Sequence, residues 1–448
     1  MKTLICNAQL VNEGQISTQD LLIEGGRISK IARQITAPAD AKVVDAQGNY
    51  LIPGMIDDQV HFREPGFPNK GTIASESRAA ISGGITSFME MPNVNPQTTN
   101  LDALEDKYHR AAASSLANYS FYLGATNDNL EEIKRLNPNQ ACGVKVFMGA
   151  STGNMLVDNE DTLNGIFANS PTVIATHCES SPIIQANEEV ARAKYGDAIP
   201  MNLHGEIRSR EACLASSRLA TSLAIKHKAR LHVLHLTTAD ELYLFEKNKQ
   251  LADLKGANIT AEVCAHHLFF NDSNYEKLGS LIKCNPAIKT AADQQALIDA
   301  VNNDVIDIIA TDHAPHTWEE KQAESYFKAP SGLPLVQHAL ISVLEHYHNG
   351  HFSLEKIVQK TSHAVAERFQ LKDRGYLREG YNADLTLIDL NKPFHANKEN
   401  TRYHCGWSAF DGYNFQSSII GTWVNGNHLF DGEKFINRQF GQRLVFDR

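Results

Sequence analysis

LIPGMIDDQVHFREPG, Leu51 to Gly66, sets the reading of the whole chain. Its first part is apolar and strand-like. The residues that follow place Asp57, Asp58, His61 and Arg63 together before a Pro65–Gly66 turn. A strand that delivers metal-type and anion-binding groups just past its C-terminal end suits a parallel barrel, where such ends converge on one face.

The same design recurs along the middle of the chain. Short apolar, β-branched runs follow at 85–91 (ITSFMEM), 118–124 (NYSFYLG), 143–149 (GVKVFMG), 172–176 (TVIAT), 230–236 (RLHVLHL), 258–264 (NITAEVC) and 305–311 (VIDIIAT). Segments such as SESRAAISGG, LDALEDKYHRAAASSL and REACLASSRLATSLAIKHK lie between them and suit helices. Near-continuous apolar strands alternating with helices imply a parallel sheet covered on both faces. With the first run there are eight strands, which predicts an α/β fold, a (β/α)8 TIM barrel, over 53–374. Residues 1–52 and 375–448 read as short strands and turns, marked by EGG, QGN and NG. They are expected to join into one small composite β-sandwich domain.

Chemistry gathers at the strand ends. His61 and Arg63 follow the first run, Pro92–Asn93 the second, His177 the fifth, His266–His267 the seventh and Asp312–His313 the eighth; Lys145 lies inside the fourth and His235 inside the sixth. Any single His is more often structural than a ligand. His61, His177 and His235 together, each at a strand end, point to a metal centre. His232 stands three residues before His235, so on a strand it faces the other way, and it reads as packing against a helix. Asp312 can bind metal and also move a proton between water and a leaving nitrogen; a bound zinc lowers the pKa of its water toward ~7. Arg63 suits a substrate carboxylate, the plainer reading being an ion pair with Glu64 or Asp58. Asn93 could add a polar contact. Asn285 and the turn at Ser331–Leu333 are weaker candidates. Lys145 in an apolar strand is either ion-paired or modified.

The totals narrow the classes. The chain has 448 residues, too many for one small core, and a net charge of −10 with no basic tract, which argues against nucleic acid. No run nears the ~18 apolar residues of a membrane helix, and no signal peptide is evident, so a cytoplasmic protein is expected. Cys6, Cys142, Cys178, Cys213, Cys264, Cys284 and Cys405 are odd in number and scattered, as reduced thiols are.

IDDQVHFREPG, GGITSFMEMPNVNP, GVKVFMGASTGNM, ATHCES, LHVLHLTTA, EVCAHHLFF, KCNPAIKT, ATDHAPH and GYNADLTLIDL occur in an order that resembles the dihydroorotases of the cyclic amidohydrolase superfamily. The resemblance spans essentially the whole chain. It implies reversible closure of N-carbamoyl-L-aspartate to L-dihydroorotate in de novo pyrimidine synthesis. It also implies zinc ligation by His61, Lys145 as its carbamate, His177, His235 and Asp312, with Asp312 as general base and acid. Arg63, Asn93, Asn285, His316 and the backbone at Ser331 and Gly332 would contact substrate. Hydantoinases and dihydropyrimidinases share the metal ligands but usually lack this Arg and Asn, and allantoinases depart at the Arg.

Two departures stand out. The family pattern is DxHxH, and here Gln59 replaces the first His; an amide oxygen is a poor zinc ligand. One tightly held zinc, with a second weak or absent, is therefore expected. The loop at 329–332 reads APSG where APFG is common, which removes an apolar contact. The segment 150–158 is rich in small polar residues and reads as a mobile lid. A homodimer or larger homo-oligomer is expected, with aspartate transcarbamoylase as a further partner to consider. The competing readings are another cyclic amide hydrolase and a barrel without catalysis that serves such a transcarbamoylase.

Overall fold

In the computed structural model, which describes residues 2–149, 155–436 and 441–448, eight parallel strands form the barrel. They are β1 (Met55–Val60), β2 (Ile85–Glu90), β3 (Asn118–Phe121, continuing at Leu123–Gly124), β4 (Val144–Phe147), β5 (Ile174–His177), β6 (Leu231–Val233), β7 (Ile259–Cys264) and β8 (Ile308–Ala310). β1 pairs with β2 and β2 with β3, and the ladder then runs from β3 through β8. The seam closes where Val60 bridges His313 in parallel and the His61 N–H donates to the His313 carbonyl at 2.7 Å. Nearly every strand residue is buried, because one face meets the barrel interior and the other meets helices.

The helices begin where the sequence offers caps. Thr72 accepts from the Ser75 N–H at the start of Ile73–Ser82, Asn100 from Ala103 before Leu101–Ser114, and Ser209 from Ala212 before Arg210–His227. Among the described residues no helix is long and apolar enough to cross a membrane. All seven cysteines are free thiols, five of them buried.

Both ends of the chain build the β-sandwich. Strands Lys2–Asn12, Gln15–Glu24, Arg27–Ala32, Ala41–Asp45 and Tyr50–Pro53 join Leu385–Asp389, Ser418–Val424 and Asn427–Phe430 in one hydrogen-bonded network. Ile5, Leu21, Ile23, Leu51, Leu385 and Trp423 form its core. Residues 441–448 do not extend this sheet. They lie along the N-terminal ends of β3 and β4, where Tyr119 donates to the Gln442 carbonyl at 3.0 Å. The Arg448 guanidinium there reaches the carbonyls of Ala141 (3.0 Å) and Cys142 (2.7 Å). From the stretch between the last sheet strands, the Trp407 indole N–H donates to the His316 carbonyl at 2.8 Å, so the C-terminal part of the chain also supports the loop after β8.

Residues 150–154 of the expected lid lie outside the described residues. The rest of that segment is pinned: Met155 and Val157 are buried, and the Val157 N–H donates to the Phe147 carbonyl of β4 at 2.9 Å.

One buried ion pair fixes the end of β2. Lys107, on the following helix, lies 3.0 Å from Glu90 and donates to the Met91 carbonyl at 3.1 Å; Glu90 also accepts the Phe62 N–H at 3.0 Å. Lys107→Met leaves a carboxylate unpaired in the core and should cost ~3–5 kcal/mol in urea unfolding, with most of that recovered in the Glu90→Gln/Lys107→Met double variant. Equal stability of Lys107→Met and the native chain would show that the pair does not hold this end.

Candidate active site

Every site residue expected from the sequence lines one cavity of about 310 Å³ at the C-terminal ends of the barrel strands. The backbone there departs from regular strand. Arg63, His235 and Asp312 have φ of 72°, 40° and 49°. For residues other than Gly this costs roughly 1 kcal/mol or more each and turns the side chain off the strand's alternation. That turn corrects the reading of His232. β6 ends at Val233, so the three-residue spacing does not put His232 and His235 on opposite sides. His232 is fully buried, with Nε2 3.1 Å from Asp58 and 3.4 Å from Glu262 and Nδ1 2.8 Å from the Thr260 hydroxyl. It does meet the Phe369 ring of a helix, but its polar partners come from β1 and β7.

Two groups of ligand-type atoms face each other across the cavity. In the first, the nearest ring nitrogens of His177 and His235 are 3.0 Å apart. The other nitrogen of His177, Nε2, is 2.8 Å from Glu179 Oε2, and Arg208 holds that same oxygen at 2.5 Å. Burial lowers the pKa of both imidazoles, so they are neutral at pH 7. Lys145 enters from β4. Burial brings its ammonium down to about 8, against the pull of Asp312 and Glu262, and among the described residues it makes no ion pair. The neutral amine, which this shift makes more accessible, is the form that reacts with carbon dioxide. Two neutral imidazoles converging beside a reactive amine, one with its far N–H given to a carboxylate, fit a zinc ion.

In the second group, His61 gives its Nδ1–H to Asn93 Oδ1 at 2.8 Å, and its Nε2 faces Asp312 Oδ1 at 3.0 Å. Burial would raise the Asp312 carboxyl, yet the His61 contact holds it below its usual value, so it is a carboxylate. Gln59 answers the question posed by its position. Its amide Nε2 donates to the same Asp312 oxygen at 3.1 Å, and its Oε1 faces the Cys264 thiol at 3.9 Å. Turning the amide over would set oxygen against oxygen. Gln59 thus presents hydrogens, not a lone pair, where the family pattern has a ligand.

The rest of the cavity is lined by a buried cation and polar side chains. Arg63 is buried, and burial lowers its pKa only to about 10, so it stays cationic. Its Nε donates to the Pro315 carbonyl at 3.0 Å and its NH2 lies 3.2 Å from His316. The plainer ion-pair reading fails, since Glu64 caps the Ile73 N–H at 2.9 Å and Asp58 pairs with His232. Among the described residues no carboxylate lies within ion-pair distance of Arg63. Asn93 keeps its amide hydrogens, and Asn285 Oδ1 is buried without a hydrogen-bond partner. His316 is pushed down to about 3 by burial and Arg63, hence neutral, and sits between Lys70 (3.2 Å) and the Ser331 carbonyl (3.1 Å). Its contacts make it a prop for Arg63 and the loop. Gly332 has its N–H bonded to the Lys283 carbonyl at 2.8 Å and its carbonyl to Lys321 at 2.9 Å. Its own contribution is shape: at φ 133° an added Cβ would come within 2.5 Å of the Ala314 carbonyl.

Sequence reasoning missed Phe147, Lys283 and Phe327 in the lining, and Glu179 and Arg208 behind His177. Phe147 was findable, because it lies two residues from Lys145 on a strand and so shares its face. Glu179 was signalled only by a carboxylate two residues past a strand-end His.

A family model described as Amidohydrolase family matches residues 50–429. The dihydroorotases of Methanosphaera stadtmanae and Halobacterium salinarum are 30% and 31% identical, over 91% and 93% of this chain and 92% and 94% of their own lengths. An allantoinase of Desulfitobacterium hafniense is 29% identical over 98% of both chains. The solved L-hydantoinase (dihydropyrimidinase) of Arthrobacter aurescens superposes with a TM-score of 0.92 over 99% of each chain, at 27% identity.

Glu179→Gln should weaken zinc retention by ~10–100-fold in competition with a chelator, because His177 loses the carboxylate that orients it. Unchanged retention would remove Glu179 from the support of this centre.

Proposed function

The chain belongs to the amidohydrolase family and is a metal-dependent hydrolase of cyclic amide bonds, and from that premise we propose that its substrate is a cyclic ureide bearing a ring carboxylate, L-dihydroorotate. The reaction is reversible ring opening to N-carbamoyl-L-aspartate, a step of pyrimidine synthesis. One observation carries this reading: a buried, cationic Arg63 in the cavity with no carboxylate of the described protein to pair with. An unpaired buried charge is expensive, and a substrate carboxylate removes that cost.

A zinc ion held by Lys145 as its carbamate, His177 and His235 would polarise the scissile carbonyl and acidify water. The residues of the chain supply the rest. Arg63 and the Asn93 amide hydrogens grip the carboxylate and fix the ring. Asn285 Oδ1 accepts a ring N–H. Asp312 Oδ2, left free by the contacts to Oδ1, takes a proton from the attacking water and returns it to the departing amide nitrogen. Gln59 and His61 hold the Asp312 carboxylate in place. With Gln59 donating to Asp312, the His61–Asp312 side of the cavity lacks a full ligand set, so one ion is held tightly.

Hydrolysis of an uncharged hydantoin or dihydropyrimidine is the second reading, favoured only by the close superposition on a hydantoinase. Arg63→Met separates the two. It should lower kcat/KM for dihydroorotate by ~10²–10³-fold, the ~3–4 kcal/mol of a buried charge pair, and spare uncharged rings. Intact dihydroorotate turnover in that variant would defeat the proposal. Gln59→His should raise the metal retained after dialysis by one ion per chain, read by elemental analysis; an unchanged count would mean that Gln59 does not set the stoichiometry.

A further inference from the structure

The end of β7 carries a cluster of metal-type side chains that the chemistry above does not use. Cys264, His266 and His267 each offer a ligand atom, and the three atoms lie within 4.8 Å of one another. All three residues are buried. The strand stops at Cys264 and a short helix, Ala265–Phe269, begins at once, so the change of backbone direction brings side chains of near neighbours to one point.

Their hydrogen bonding is incomplete in a telling way. His267 has Nε2 3.1 Å from the Pro286 carbonyl, which fixes the proton there and leaves the lone pair on Nδ1; Nδ1 has no partner. A backbone carbonyl on the far nitrogen is how ligating imidazoles are commonly oriented. Neither ring nitrogen of His266 makes a hydrogen bond of good geometry, although the Thr311 backbone lies nearby. The acceptors nearest the Cys264 sulfur are distant, Glu262 Oε1 at 3.7 Å and Gln59 Oε1 at 3.9 Å. Leaving buried polar atoms unpaired is unfavourable, because they have given up water without a replacement.

The other buried trio supplies a contrast. Asp58, His232 and Glu262 also bring ligand atoms within 4.8 Å, and there His232 Nε2 stands 3.1 Å from Asp58 and 3.4 Å from Glu262, an ion pairing inside the group itself. The Cys264 group has no such internal solution.

We infer that Cys264, His266 and His267 form a site for a thiophilic divalent transition metal of the zinc class, separate from the Lys145–His177–His235 centre. One sulfur and two imidazole donors favour such ions over magnesium or calcium. Burial, and after it the carboxyl groups of Glu262, Asp312 and Asp57, push the Cys264 thiol well above its usual value, so the sulfur is protonated when no cation is present. Binding forms the metal–sulfur bond, breaks the S–H bond and releases that proton to solvent, so occupancy rises with pH. The proton cost makes this ion weaker than the catalytic one: it is gained on titration and lost on dialysis.

Cobalt(II) chloride titrated into the protein carrying its catalytic metal tests this. A thiolate-to-cobalt charge-transfer band in the near ultraviolet reports sulfur ligation, and the Lys145–His177–His235 centre contains no sulfur. The band should saturate at one cobalt per chain, vanish in Cys264→Ser and persist in His177→Ala. His266→Asn keeps a polar side chain and guards against a folding failure of Cys264→Ser; it should shift the titration midpoint by ~10-fold or more. No band at saturating cobalt overturns the inference. So does a band that survives Cys264→Ser, which would assign the sulfur to Cys284, 3.7 Å from His267 Nε2. A band lost with His177→Ala overturns it too, by merging the two sites. None of these outcomes depends on which cyclic amide the enzyme opens.

Discussion

The contact on which the site depends is the seam between β1 and β8. There the His61 N–H meets the His313 carbonyl at 2.7 Å, and the Asp57 carboxylate accepts the Thr311 hydroxyl at 2.6 Å and its N–H at 3.2 Å. Residues about 250 positions apart in sequence are thereby held in register. The His61–Asp312 and Gln59–Asp312 contacts are direct consequences. Glu76 extends the lock outward, pairing with His313 at 2.9 Å from the first barrel helix. Because the barrel is closed, the remaining strand ends can only point into the same mouth.

Within that mouth, burial sorts charge. His177 and His235 are driven neutral, Lys145 is brought to about 8, and Arg63 keeps a firm positive charge. Neutral nitrogens are available for a metal, and the lasting cation is available for an anion. The arrangement is maintained from outside the cavity. Arg208 bears on Glu179, Lys70 on His316, and Trp407 on the loop after β8. The left-handed backbone at Arg63, His235 and Asp312 is the local expense of aiming side chains from the ends of strands rather than from within them.

Gln59 changes what one half of the site can be. A histidine there would offer a lone pair toward the cavity. The glutamine offers amide hydrogens to Asp312 and takes a long contact from Cys264. The positive end of a side-chain dipole therefore stands where a ligand would hold a second ion. Both contacts from Gln59 and His61 go to Asp312 Oδ1, which leaves Oδ2 for the proton transfer proposed above.

The sequence alone determined the barrel, the β-sandwich drawn from both ends, and the donor types at the strand ends, because strand periodicity and the apolar runs report burial directly. HFREPG, ATHCES and TDHAPH each placed their groups at a strand end by position alone. Tertiary structure decided the rest. That His232 meets Asp58 and Glu262, that Arg63 has neither Glu64 nor Asp58 as a partner, and that Glu179 lies behind His177 depend on residues from other strands. The direction of the Gln59 amide depends on Asp312 and Cys264, which arrive from β8 and β7. Local pattern fixes which face of a strand a residue takes, but past the strand end its direction is set by backbone turns and by neighbours that only closure of the barrel brings near.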